Sequence, residues 1–189
     1  MNNTLIENSF QEHKEVLEKL TLESENIEKI INICEKVLET KNKFMFCGNG
    51  GSAADSQHLA AEFTGRFLTK TQPLPAIALT TDTSALTAIG NDFGFEEVFS
   101  RQVLALGKSG DLIFAISTSG NSKNVIKAVN TAKEIGIHTV ALVGHSGGEL
   151  SKITNISVIV DSSFTARIQE MHILIGHIIC EALDAKRNF

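Results

Sequence analysis

The amino-acid sequence predicts an α/β domain built on a doubly wound, five-stranded parallel sheet, with two N-terminal helices ahead of it. Three observations predict it. Five short runs, each nearly continuous in apolar residues, recur along the chain: KFMFCG, PAIALT, DLIFAI, HTVALVG and ISVIV. Unbroken apolarity is what strands buried on both faces require, and such strands pair in parallel because helices cover both faces. Helical segments separate the runs, and loops rich in Gly, Ser and Asn follow two of them, as at the carboxyl edge of a doubly wound sheet.

Taken in order, the first forty residues place Ile6, Phe10, Leu17 and Leu20, then Ile27, Ile30, Ile31, Cys34 and Leu38, at helical spacing among acids and lysines. These two amphipathic helices precede the first strand and have no sheet partner of their own in sequence, so they must cover the domain or pack against another subunit, and residues 1–41 are expected to serve in oligomer packing. Residues 42–189 form the α/β core, and the chain reads as a single domain of 189 residues. Pro73 and Pro75 mark a local turn before the second strand. A helix from about Phe164 to Leu183 closes the chain.

Composition excludes several classes. The net charge of −5 offers no broad basic patch for nucleic acid, and the absence of Trp and Tyr removes the usual stacking platforms. No apolar stretch approaches the roughly 20 residues that cross a bilayer, so no membrane span is expected. The opening MNNTLIENSFQEHKEV lacks the basic start and apolar centre of a secretory signal, which makes a cytoplasmic location the expectation. Cys34, Cys47 and Cys180 are odd in number and sit in apolar surroundings, as reduced core thiols do.

Two strand-to-helix loops carry the chemistry: Gly48-Asn49-Gly50-Gly51-Ser52 and Ser117-Thr118-Ser119-Gly120-Asn121-Ser122. Glycines admit backbone N–H groups to a ligand, a helix N-terminus adds partial positive charge, and the hydroxyls of Ser117, Thr118, Ser119 and Ser122 add donors. That combination suits a phosphate monoester. Neither loop carries the Lys of a P-loop or the glycine spacing of a dinucleotide fold, so no nucleotide is expected. Ordinary N-capped turns are the plain alternative.

His58 and Glu62 stand at i and i+4, one face of one helix, within reach of a single ligand. A surface ion pair would have the same spacing. The terminal helix sets Arg167, Gln169, Glu170, His172 and His177 among Ile168, Met171, Ile173, Leu174 and Ile175, and buried polar groups need partners. Structural hydrogen bonding accounts for His172. His177 reads equally as a structural or a functional histidine.

The segments GNGGSAADSQHLAAEFTGRF, AIGNDFGFEEVFSRQV, AISTSGNSKNVIKAV and ARIQEMHILIGH resemble the sedoheptulose 7-phosphate isomerases, members of the sugar isomerase (SIS) domain family. The resemblance runs from the leading helices to the last one. It implies a flavodoxin-like SIS fold, a homotetramer with sites at subunit interfaces, and aldose-ketose isomerisation at the start of bacterial nucleotide-heptose synthesis. By the same resemblance Ser117, Thr118, Ser119 and Ser122 would cradle the phosphate. Asn49, Gly50, Gly51, Ser52, Asn91, Asp92 and Gln169 would line the sugar, and Glu62 and His177 would be the acid-base pair. Zinc, one per subunit, would be held by His58, Glu62, Gln169 and His177. Gln169 and His177 stand eight residues apart, about 12 Å of helical rise, so convergence on one ion requires side chains that lean inward or ligands from more than one subunit. The competing reading is a non-enzymatic binding protein on the same fold, resembling the replication-initiator-associating protein; retention of Glu62 and His177 argues for the enzyme.

Overall fold

A computed structural model describes residues 2–70 and 72–187. The five predicted strands form at β1 (Phe44–Gly48), β2 (Ala76–Ala78), β3 (Leu112–Ser117), β4 (His138–Gly144) and β5 (Ile156–Val160). They pair in the order β2-β1-β3-β4-β5, every pair parallel, which is the doubly wound arrangement expected. Apolar continuity tracks position in the sheet. Every residue of β1 and β3 is buried, whereas PAIALT contributes only a three-residue edge strand with Ile77 exposed.

Alternate residues of each strand feed two cores, because successive side chains point to opposite faces. Phe44, Phe46, Phe114, Ile116 and Leu142 face one layer; Met45, Cys47, Ile113, Ala115 and Val143 face the other. The first layer is covered by α1 (Asn2–Leu20), α2 (Ser24–Glu39), α3 (Gly51–Thr64) and α8 (Thr165–Arg187). Over the opposite face and the connections lie α4 (Thr83–Phe93), α5 (Ser100–Leu106), α6 (Lys123–Glu134) and the short α7 (Leu150–Ile153).

The two leading helices differ. Ile27, Ile30, Cys34 and Val37 of α2 repeat at three and four residues and are all buried, so this helix belongs to the domain's own core. Among the described residues of α1 only Val16 and Leu20 are buried, at its C-terminal end, and Leu5, Ile6 and Phe10 remain exposed. The three cysteines are buried and free, as the sequence leads one to expect. Burial pushes the thiols of Cys47 and Cys180 up to about 12, so neither is a nucleophile near neutral pH.

Two features aim the fold at its site. The loops after β1 and β3 emerge at the same edge of neighbouring strands. The helices α3 and α8 approach closely because Gly176 has no side chain: a Cβ there would stand 2.3 Å from Leu59 Cδ2. That close approach brings together the residues adjoining this contact, His177 after Gly176 and His58 before Leu59.

Candidate active site

The first loop is shaped by two glycines. A Cβ on Gly48 would lie 2.7 Å from the carbonyl oxygen of Ser52 and 2.8 Å from that of Ile116, so only glycine allows the chain to turn so tightly against β3. Gly50 precedes α3 with φ of 57°, and no side chain caps the helix start, where the Ser52 and Ala53 amides bond back to the carbonyls of Asn49 and Gly50. Asn49 exchanges two amide hydrogen bonds with Asn124 at the start of α6, at 2.8 and 2.9 Å. The two predicted ligand loops are thereby pinned to each other.

In the second loop the hydroxyls of Ser117 and Ser122 lie 3.0 Å apart and those of Ser117 and Ser119 lie 3.5 Å apart. Ser122 occupies the N-cap position of α6, yet its side chain makes no capping bond to the helix. A simple N-cap therefore does not account for these serines. Ser119 Oγ accepts from the Asn121 amide at 3.1 Å, and Thr118 is half-buried. The cluster gathers donors at a helix N-terminus with no positively charged side chain required, which is the chemistry of phosphate cradling.

Between α3 and α8 the two imidazoles meet, with His58 Nε2 3.1 Å from His177 Nε2. Glu62 Oε1 is 3.2 Å from His58 Nε2, and one ligand atom of each of the three residues lies within 4.8 Å of the others. A surface ion pair alone would not recruit a second imidazole from 119 residues away. Two nitrogens and an oxygen at such separations also fit one tetrahedral zinc, whose bonds of about 2.0–2.1 Å put ligand atoms about 3.3 Å apart.

The other sequence-predicted residues are placed differently. The Gln169 amide stands against Gly51, where a Cβ would meet its Nε2 at 2.1 Å. Gly51 is seven residues before His58, about 10 Å of helical rise, so Gln169 occupies a tier beside the first loop rather than the centre of the histidine cluster. Asn91 and Asp92 lie exposed on α4 and bond to each other at 2.8 Å; among the described residues no hydrogen bond ties them to the rest of the site. His172 is fully buried, and neither ring nitrogen reaches hydrogen-bond geometry among the described residues. The Val143 backbone is the polar group that acts on the ring, at a looser geometry than a full hydrogen bond. Burial drives its pKa down to about 4, with the Val143 carbonyl pulling weakly the other way, so the ring is neutral at physiological pH.

Sequence reasoning missed Asp55 and Phe67. Asp55 stands one turn before His58 on α3, and its Oδ2 is buried without a hydrogen-bond partner among the described residues. Burial raises its pKa, and the neighbouring His58 lowers it. The i, i+3 spacing to His58 was a usable signal. Phe67 lays its ring 5.4 Å from that of His177, and no local pattern announces this contact.

The SIS domain family model matches residues 9–144. The chain is 50% identical to a phosphoheptose isomerase of Campylobacter concisus (strain 13826) over 184 residues, 97% of each chain. Among solved structures, a phosphoheptose isomerase from Neisseria gonorrhoeae superposes with a TM-score of 0.93 at 44% identity, covering 98% of this chain and all of that one. One from Francisella tularensis gives 0.94 at 35% identity, covering 98% and 99%. Among the described residues no helix is long and apolar enough to cross a membrane.

Proposed function

The chain belongs to the phosphoheptose isomerases of the SIS-domain family, and from that premise we propose that it interconverts sedoheptulose 7-phosphate and D-glycero-D-manno-heptose 7-phosphate, the opening step of nucleotide-heptose synthesis. It is an isomerase. The observation that carries the reading of its site is the meeting of Glu62 with His58 and His177 at the contact of α3 with α8.

The phosphate end of the substrate is bound by the hydroxyls of Ser117, Thr118, Ser119 and Ser122 and by the amides at the start of α6. Asn49, Gly50, Gly51, Ser52 and Gln169 line the sugar beside the first loop, with Asn91 and Asp92 contributed through α4. Anchoring one end fixes the reacting carbons at the other, which is the positioning that a proton transfer between adjacent carbons exploits. The Glu62 carboxylate takes the proton from C1 of the open-chain ketose, giving an enediol, and returns a proton to C2. His177 moves the hydroxyl proton between O2 and O1, so that the carbonyl relocates with no net change of charge.

His58, Glu62 and His177 would hold one zinc per chain, with Gln169 completing the set by leaning in or from another subunit. Such an ion, when bound, polarises a carbonyl oxygen. The enzyme acts in the cytoplasm as a closed homotetramer, a reading supported by the exposed Leu5, Ile6 and Phe10 on α1. The relatives it matches are enzymes, which disfavours the non-enzymatic binding reading. Incubating pure protein with sedoheptulose 7-phosphate and with ketose 6-phosphates, then assaying for aldose products, tests the proposal. Turnover of the six-carbon substrates with none of the seven-carbon one would refute it.

A further inference from the structure

Asp184 is a buried carboxylate, 7% exposed, near the end of α8. It lies seven residues beyond His177, two helical turns, and so on the same face of the helix about 10 Å along the axis. A single oxygen, Oδ2, accepts hydrogen bonds from the backbone N–H of Leu68 at 2.9 Å, the backbone N–H of Thr69 at 3.0 Å and the Thr69 hydroxyl at 3.2 Å. Hydrogen bonds to a charged acceptor are roughly twice as strong as neutral ones. The bonded segment follows α3 directly, and Leu68 is itself 61% exposed, so burial of that side chain does little to fix it.

The residue immediately before the clamp is Phe67. Its ring packs against the His177 imidazole at 5.4 Å and 32°, and the His58 ring touches the same imidazole at 5.1 Å and 51°. Two rings against one imidazole restrict its rotation about χ1 and χ2. Glu62, Phe67 and Asp184 line one cleft with Arg66 and Cys180, so clamp, wall and base share a single surface.

We infer that Asp184 is a positioning residue for the isomerisation: by holding the backbone of Leu68 and Thr69 it sets Phe67 against His177 and keeps that imidazole turned toward Glu62 and His58. The inference rests on the reading of His177 as a proton carrier. Its action is confined to the proton-transfer end, because the phosphate hydroxyls sit on the loop after β3.

The experiment is steady-state kinetics on the full chain for Asp184→Ala, Phe67→Ala, the double variant and His177→Asn, with thermal melts of each. Asp184→Ala should lower kcat about tenfold while KM for sedoheptulose 7-phosphate stays within about twofold. Phe67→Ala should do the same, and the double variant should be no slower than the slower single one, since both remove the same support. If Asp184→Ala does not fold, Asp184→Leu, which fills the same space and offers no acceptor oxygen, takes its place in the same cycle. Losses that multiply in the double variant, or a full kcat in the Asp184 variant, would overturn the inference. A His177→Asn enzyme with undiminished kcat would instead overturn the acid-base reading; a dead His177→Asn enzyme beside a fully active Asp184 variant sinks the positioning role alone.

Discussion

Replacing Gly51 with Ala separates stability from catalysis at this site. The backbone at Gly51 lies outside the left-handed region, so alanine fits the chain, but its methyl would stand 2.1 Å from Gln169 Nε2 and 2.7 Å from Gln169 Cδ. Both are atoms near the end of a flexible side chain, and the amide can swing aside. An off-rotamer side chain costs about 0.5–1.5 kcal/mol, while alanine in place of glycine in a helix gains up to about 1 kcal/mol. The two nearly cancel, and Tm should change by less than about 4 °C for a domain of this size. Catalysis should not be spared. Displacing the Gln169 amide removes a hydrogen-bonding group worth about 0.5–1.5 kcal/mol, a loss of up to about tenfold in kcat/KM. Gly48→Ala is the contrast, because its methyl would meet main-chain oxygens at 2.7 and 2.8 Å and the backbone itself must move. Overpacking of that kind costs about 1–3 kcal/mol, which lowers Tm by several degrees. Melts followed by circular dichroism and kcat/KM with sedoheptulose 7-phosphate, run on both variants, decide the matter. A Gly51→Ala protein as destabilised as Gly48→Ala, or one with unchanged kcat/KM, would refute the placement of Gln169.

Glu62→Gln keeps the shape and removes the basicity, so kcat should fall on the order of 100-fold or more, and solvent-deuterium exchange at the substrate carbon should fall with it. Ser119→Ala should raise KM about tenfold or more through a lost charge-assisted hydrogen bond, with the melt little changed; an unaltered KM contradicts phosphate cradling. His172 should make the fold acid-sensitive. Its folded pKa of about 4 lies below the unfolded 6.5, so the unfolded chain binds the extra proton between those values. Stability is then lost as pH falls from about 6.5 to about 4, by up to about 3 kcal/mol, and His172→Leu should flatten that slope in urea melts. Metal analysis of chelator-free protein should find one zinc per chain, reduced by His58→Ala; a stoichiometry near zero after zinc supplementation removes the ion from the reading.

Much of this molecule is written locally. Every residue of β1 and β3 is apolar or small because both faces of a central strand are buried, so their runs could be read without knowing their partners. The two candidate loops were partly legible for a similar reason, since Gly48 answers to the nearby Ser52 carbonyl and the serines crowd one helix start. His58 and Glu62 share a helix face by their spacing alone. Periodicity reports that a face is buried or shared but not what covers it. The sequence therefore leaves His177 equally structural or functional, and its contact with His58 depends on α8 lying against α3, at a distance set by Gly176 and Leu59. Asn49 and Asn124 carry no mark that they pair across 75 residues. The exposed apolar residues of α1, the contact of Phe67 with His177 and the clamp on Leu68 and Thr69 by Asp184 are likewise decided by packing between segments remote in sequence. Such contacts depend on helix separations and rotations summed over the whole core, and no single stretch of chain encodes them.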